Sequence, residues 1–207
     1  MELRQVVGKR DREIFGERLA ATRANRASKF RDKAGAKLTE IHLQYGDLYA
    51  LVGDGCPVED MKAGFIVHSL AVFPQSAPKP DLSHMSPNEV LEGSEFFSLE
   101  PGYGRMSLIL SGAIIGLMQA RALLIYAITE PADIVSFVAP SGFKAAGEAF
   151  RWPYAETLDG KDVWVRPMLL EGAALTQYVR AGFEMAFSVS GAGRLVRLAD
   201  GAQHLHS

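Results

Sequence analysis

The chain has one cysteine in 207 residues, Cys56. An intramolecular disulfide and a cysteine-based metal cluster are therefore excluded, which fits a reducing compartment. Uninterrupted apolar runs are also scarce. The longest, Leu108–Gln119, is broken by Ser and Gly and is too short to span a bilayer. The first residues are charged, which does not fit a secretory signal. These features predict a soluble cytoplasmic protein. Net charge is only -2, so the average composition offers no footprint for nucleic acid. There is no catalytic-triad spacing, no Walker-type loop and no metal-ligand spacing.

What the chain does have is an ordinary globular composition, 48% hydrophobic and 22% charged, long enough to bury a substantial core. Charge is unevenly placed. Residues 1–37 hold eleven Lys/Arg against five Asp/Glu, and the remainder is net acidic. Such asymmetry marks a docking surface for an anionic partner or a solvated helix face. The chain divides on this reading into a basic N-terminal helical segment (1–37), a core (38–170) and a C-terminal helix and tail (171–207).

Hydrophobic periodicity predicts a helix over 12–34 and an interrupted strand over 38–52, where Ile41, Leu43, Tyr45, Leu48, Ala50 and Val52 alternate. A turn at Gly53-Asp54-Gly55 leads to a second strand, 63–73, antiparallel to the first. Residues 74–87 form a loop with four prolines, suited to a substrate-facing segment. A strand over 90–99, a long apolar helix over 105–122, a buried strand over 123–128 and a short helix over 132–140 follow. Two strands, 144–156 and 163–170, flank the Asp159-Gly160 turn. A short helix over 173–181 and a hairpin near 190–193 close the chain.

The most telling stretch is Leu99-Glu-Pro-Gly102-Tyr-Gly104-Arg105-Met106 between the 90–99 strand and the long helix. Glycines let the backbone turn sharply and approach a ligand closely. The first N–H groups of a helix and its dipole favour an anion. Strand, glycine turn and helix start together suit a phosphate.

This order of elements, with Gly102-Tyr-Gly104, Gly142-Phe143 and the Gly160 hairpin, resembles the GCN5-related N-acetyltransferase (GNAT) superfamily over roughly residues 12–170. The resemblance implies an α/β fold with a mixed, mainly antiparallel sheet flanked by helices. It also implies that the amides of Gly102, Tyr103, Gly104, Arg105 and Met106 hold the pyrophosphate of an acyl-CoA, with Arg105 adding a charge-assisted bond. The family's usual Arg or Gln before the loop is Leu99 here. A looser resemblance is to acyl-homoserine lactone synthases, which take acyl groups from acyl-carrier protein. Glu92 and Phe96 match their Glu-x-x-Arg-Phe strand, but Glu95 replaces the arginine. Their paired acids are matched only loosely by Asp47 and Asp54. Docking of an acidic carrier protein would suit the basic N-terminal segment.

Transfer of an acyl group from a thioester to an amine needs a proton acceptor, a donor to the developing oxyanion and a stabilised leaving thiolate. Glu92 and Glu95 are the candidate bases. They stand three residues apart on a strand, which sets them on opposite faces. Glu92 is preferred because it matches the family's acid. His68 and His84 are second choices. The family's thiolate acid is a Tyr before Gly-Phe, where this chain has Phe137 and Val138; Tyr126 and Tyr178 are the substitutes. Cys56 lacks an evident activating partner, and His204 and His206 stand in the tail. The expected function is N-acyl transfer from acyl-CoA or acyl-carrier protein to a small amine or amino acid. The alternative, a non-catalytic module that binds an acyl donor or a protein, rests on Leu99 and the missing Tyr. A third reading sets the basic helix on nucleic acid.

Overall fold

The computed structural model describes residues 1–25, 30–33, 38–71, 78–189 and 196–197. The elements, in chain order, are β1 (Glu2–Val6), α1 (Lys9–Asn25), β2 (Phe30–Asp32), α2 (Leu38–Tyr45), β3 (Asp47–Val52), β4 (Ala63–Ser69) and β5 (Val90–Ser98). They continue with α3 (Tyr103–Leu117), β6 (Ala122–Glu130), α4 (Val135–Val138), β7 (Lys144–Ala145), β8 (Phe150–Thr157), β9 (Asp162–Glu171), α5 (Gly172–Val189) and β10 (Val196–Arg197). One sheet runs in the order β10-β1-β3-β4-β5-β6-β9-β8-β2, with β7 pairing β9. Among the described residues, β1–β10 and β5–β6 are the parallel pairs and the others are antiparallel. This is the mixed, mainly antiparallel α/β sheet expected from the sequence.

Alternation along the central strands splits the core in two. Leu48, Ala50 and Val52 of β3 pack with Phe15 and Leu19 of α1. Tyr49 and Leu51 face the other way, among Leu108, Leu110 and Ile114 of α3 and Leu175 and Tyr178 of α5. The small residues that interrupt the apolar run of α3 have a packing role. A Cβ on Gly112 would lie 2.5 Å from the Tyr178 carbonyl oxygen, and one on Gly182 would lie 2.3 Å from the Ala113 nitrogen. Glycine alone permits the backbones of α3 and α5 to approach this closely. Ser111 Oγ stands 2.8 Å from Tyr178 Oη across the same seam.

Several boundaries differ from the sequence reading. The first helix ends at Asn25, and Phe30–Asp32 is instead an edge strand whose partner is β8. Residues 38–45 form a helix rather than half of a strand. Its apolar residues alternate by coincidence: Tyr45 is exposed, while Leu43 packs beside the α1 core. Gly46 makes the junction with β3, since a Cβ there would lie 2.3 Å from Ile66 Cγ2. The long helix starts at Tyr103 and stops at Leu117, and a left-handed Gln119 turns the chain into β6 at Ala122. The second strand stops at Ser69. The 144–156 strand splits into β7 and β8, and α5 extends to Val189. Strand β1 is an element the periodicity did not reveal. Phe73 and the 190–193 hairpin lie outside the described residues.

Much of the basic charge of the N-terminal segment is engaged within the fold. Arg12 donates to the carbonyls of Leu43 and Gly46, Arg23 pairs with Asp32 and Glu95, and Arg31 pairs with Glu156.

Gly182→Val is expected to destabilise the protein by about 2 kcal/mol or more, because the new side chain must push α5 off α3. Denaturant unfolding measures this. An unchanged midpoint would contradict the close backbone seam.

Candidate active site

The site is built where β5 leaves its regular course. Gly64 pairs with Phe97 and Ile66 with Ser94, so Phe65 alone opposes both Glu95 and Phe96. This is a β-bulge, and Glu95 carries it at φ 54°. The extra residue resets the alternation. Phe96 turns to the α3 face and stacks on Phe65 at 5.5 Å. Glu95 joins Glu92 on the α1–α2 face. The sequence expectation of opposite faces is therefore corrected: both carboxylates line the same cavity.

The second departure is a divergence. β5 and β6 pair in parallel only at Val90–Ala122, Leu91–Leu123 and Glu92–Leu124. Both strands run on, to Ser98 and Glu130, without further pairing to each other. A cavity of about 410 Å³ occupies the gap. Its lining comes from both faces of the sheet: His42, Thr39 and Glu92 on one side, Gly104, Leu108 and Val138 on the other. Ile125, Trp152 and Val165 contribute apolar walls.

A polar cluster covers the α1–α2 side. Arg23 donates to Glu95 Oε2 at 2.5 Å, to Asp32 Oδ2 at 2.5 Å and to Thr39 Oγ1 at 2.6 Å. His42 Nδ1 lies 3.1 Å from Glu95 Oε1. An ionised carboxylate only accepts, so Nδ1 carries a proton and donates. Burial alone would raise the Glu95 carboxyl, but the His42 hydrogen bond and the Arg23 charge outweigh it and hold it below the ordinary value. The His42 and His68 rings stack at 5.3 Å. His68 Nε2 is 3.8 Å from Glu92 Oε1, and both residues are 2% exposed. Burial, then the neighbouring His42, pushes His68 down to about 3, so its imidazole is neutral at neutral pH.

On the opposite side α3 begins. Gly102 is its N-cap in a left-handed conformation, φ 89°, which disfavours any other residue. The helix start at Tyr103–Gly104–Arg105 presents N–H groups that have no partner within the helix. Gly104 reaches the cavity, Arg105 is exposed, and Tyr103 and Met106 pack partly against the α3–α5 core.

The remaining candidates sort by position. Tyr126 lines the cavity and donates to the Pro78 carbonyl at 3.1 Å. Phe137 and Val138 line it too. Tyr178 does not. Its hydroxyl is buried at the α3–α5 seam, bonded to Ser111 and to the Leu108 carbonyl, and burial holds its pKa well above the usual phenol value. His84 sits at the surface beside Glu171. Asp47 is held by Gln5, Asp54 pairs with the N-terminal amine, and Cys56 packs beside Gly53; none of them lines the cavity. His204 and His206 lie outside the described residues. Sequence reasoning missed Arg23, Thr39 and His42. Reading 38–45 as a helix would have revealed Thr39 and His42 three residues apart, hence on one face.

Against known proteins, no protein-family model matches the sequence, and no curated protein matches it. Solved structures do match. FeeM, an N-acyl amino acid synthase from uncultured soil microbes, aligns with TM-score 0.55 at 11% identity, over 86% of this chain and 97% of its own. YncA from Salmonella typhimurium, solved with its cofactor acetyl-CoA, aligns with TM-score 0.55 at 12% identity, over 83% and 93%. A ribosomal-protein-alanine N-acetyltransferase from Brucella melitensis gives 0.54 at 11%, over 83% and 100%. The chain has a GNAT-like fold. At these identities the likeness is one of architecture. Among the described residues, no helix is long and apolar enough to cross a membrane.

Arg23→Ala is expected to cost about 1–3 kcal/mol, because it leaves Glu95 and Asp32 without their cation in a half-buried setting. Adding Glu95→Gln should restore part of that loss. A double-mutant cycle by denaturant unfolding measures the coupling, expected to be at least ~0.5 kcal/mol. Strict additivity would mean that the two side chains do not act as a pair.

Proposed function

We propose that this protein is an N-acyltransferase. It moves an acyl group from an acyl-CoA or acyl-carrier-protein thioester to a small amine or amino acid by direct attack. The observation that carries this reading is the cavity that runs through the gap between β5 and β6, with an anion-suited helix start on one side and buried carboxylates on the other. The fold shared with acetyltransferases, among them yncA solved with acetyl-CoA, supports it.

The donor's phosphates meet the amides of Gly102, Tyr103, Gly104, Arg105 and Met106, and Arg105 adds its charge. The thioester enters the gap, where β5 has no neighbouring strand and turns alternate N–H groups toward the vacated edge. Those donors stabilise the oxyanion as the carbonyl becomes tetrahedral. The amine arrives from the α1–α2 side. Its nitrogen forms the new C–N bond, its proton passes to Glu92, and the C–S bond breaks. The thiolate leaves toward the start of α3, whose dipole favours negative charge. Glu95 is a different kind of carboxylate. Locked to Arg23 and His42, it stays ionised and positions His42 beside His68. Of the two candidate bases, Glu92 is therefore the proton acceptor and Glu95 the support. Holding both reactants in one cavity supplies much of the acceleration without an enzyme nucleophile.

The test pairs donor binding with turnover. Thermal shifts against acetyl-, medium- and long-chain acyl-CoA and acyl-carrier proteins identify the donor, since a ligand of the native state raises apparent stability. With that donor and an amine panel, Glu92→Gln is expected to lower kcat about 10²-fold or more while leaving the donor-induced shift intact. Full activity in Glu92→Gln would remove Glu92 as the base. Absence of a shift with any donor would count against acyl transfer.

A further inference from the structure

Three chemistry-bearing side chains on the α1–α2 side of the cavity come from separate elements: His42 from α2, His68 from β4 and Glu92 from β5. One ligand atom of each lies within 4.8 Å of the other two. They are 3%, 2% and 2% exposed. The geometry points to a binding site for a single divalent transition ion of the zinc class, held by His42, His68 and Glu92.

Distances fit such an ion. Bonds of 2.0–2.2 Å put the ligand atoms of a tetrahedral site about 3.4 Å apart. His68 Nε2 and Glu92 Oε1 already stand at 3.8 Å. Two imidazoles sharing one tetrahedral ion have ring centroids about 5 Å apart, and the His42 and His68 rings are 5.3 Å apart. Loading therefore draws ligand atoms that now lie within 4.8 Å of one another in to about 3.4 Å.

The surroundings of the triad supply a second observation. His42 Nδ1 donates to Glu95 Oε1, which ties its ring to a carboxylate. A carboxylate behind a ligating imidazole fixes its tautomer and ring plane and raises its basicity. Glu95 is in turn fixed by Arg23. Two imidazoles and one carboxylate suit zinc and its neighbours, whereas calcium and magnesium prefer all-oxygen sets. His42 and Glu92 both line the cavity, so the remaining coordination position opens onto it. The sequence offers no hint of this set, because its members are separated by 26 and 24 positions and lie on three elements.

The site stands on its own geometry. Its consequence for turnover rests on the proposed function: a carboxylate that ligates an ion cannot take the amine's proton, so zinc inhibits acyl transfer.

The test uses the full chain stripped by a chelator, with zinc followed by calorimetry and cobalt(II) by visible absorption. One equivalent of zinc is expected, together with cobalt bands of a four- or five-coordinate site. His42→Gln, His68→Gln or Glu92→Gln should each weaken zinc at least ~10-fold, and Glu95→Gln should weaken it by about 10-fold without abolishing it. A variant with His84, His204 and His206 all replaced by alanine should bind as the wild type does. The proposal is overturned if the wild type takes up no zinc, if His42→Gln and His68→Gln bind normally, or if the surface and tail variant loses the site. Should a ligand variant fail to fold, the zinc-dependent rise in Tm of the wild type and its cobalt spectrum decide. Acyl transfer by the metal-free chain is scored separately. Its absence counts against the proposed function and leaves the metal site standing, while loss of zinc binding does the reverse.

Discussion

After Glu92 and Leu124 two parallel strands part, and the sheet opens without breaking. The cavity and the cluster of Arg23, His42, Glu92 and Glu95 lie along that opening. Neither strand is left unsupported, because β5 keeps β4 on its far side and β6 keeps β9. The bulge at Glu95 falls within the parted stretch and increases local twist. It also sends one more carboxylate to the α1–α2 face than a regular strand would. A single inserted residue thus belongs to both the shape of the gap and the charge beside it.

That charge is balanced locally. Two buried acids on one short stretch would repel each other and suffer from burial. Glu95 is compensated by Arg23 and His42, which leaves Glu92 in a different environment beside a neutral His68. The result is two carboxylates in separate settings, Glu95 anchored by Arg23 and His42 and Glu92 buried beside His68. Arg23 reaches this place from α1 and touches Asp32 of β2 as well, so the N-terminal segment is tied to the site. Its positive charge serves the interior of the fold at these positions.

The sequence carried the fold in its order of elements and in its glycines. Gly102 and Gly104 sit at a strand-to-helix turn, Gly142 ends a short helix in a left-handed conformation, and Gly160 makes a hairpin. Each is a local signal, legible without tertiary context. Glu92 and Glu95 were legible as acids within an apolar strand. Their shared face was not, since a bulge is decided by pairing with β4 and leaves no mark in the alternation. Ile41, Leu43 and Tyr45 alternate as strand residues do, which hides the 38–45 helix and with it the placement of His42. Tyr178 stands four residues before Gly182-Phe183, and that spacing serves the α3–α5 seam, where Gly182 admits the backbone of Ala113. Local chemistry was readable, whereas the meeting of α1, α2, β4 and β5 was a product of the whole fold.

The most direct measurement is a crystal structure of this chain with a non-hydrolysable acyl-CoA analogue. The account predicts the pyrophosphate at the Gly102–Met106 amides, the thioester-equivalent carbonyl between β5 and β6, and Glu92 facing it across the gap. An analogue bound away from the gap, or a carbonyl walled off from Glu92, would contradict it.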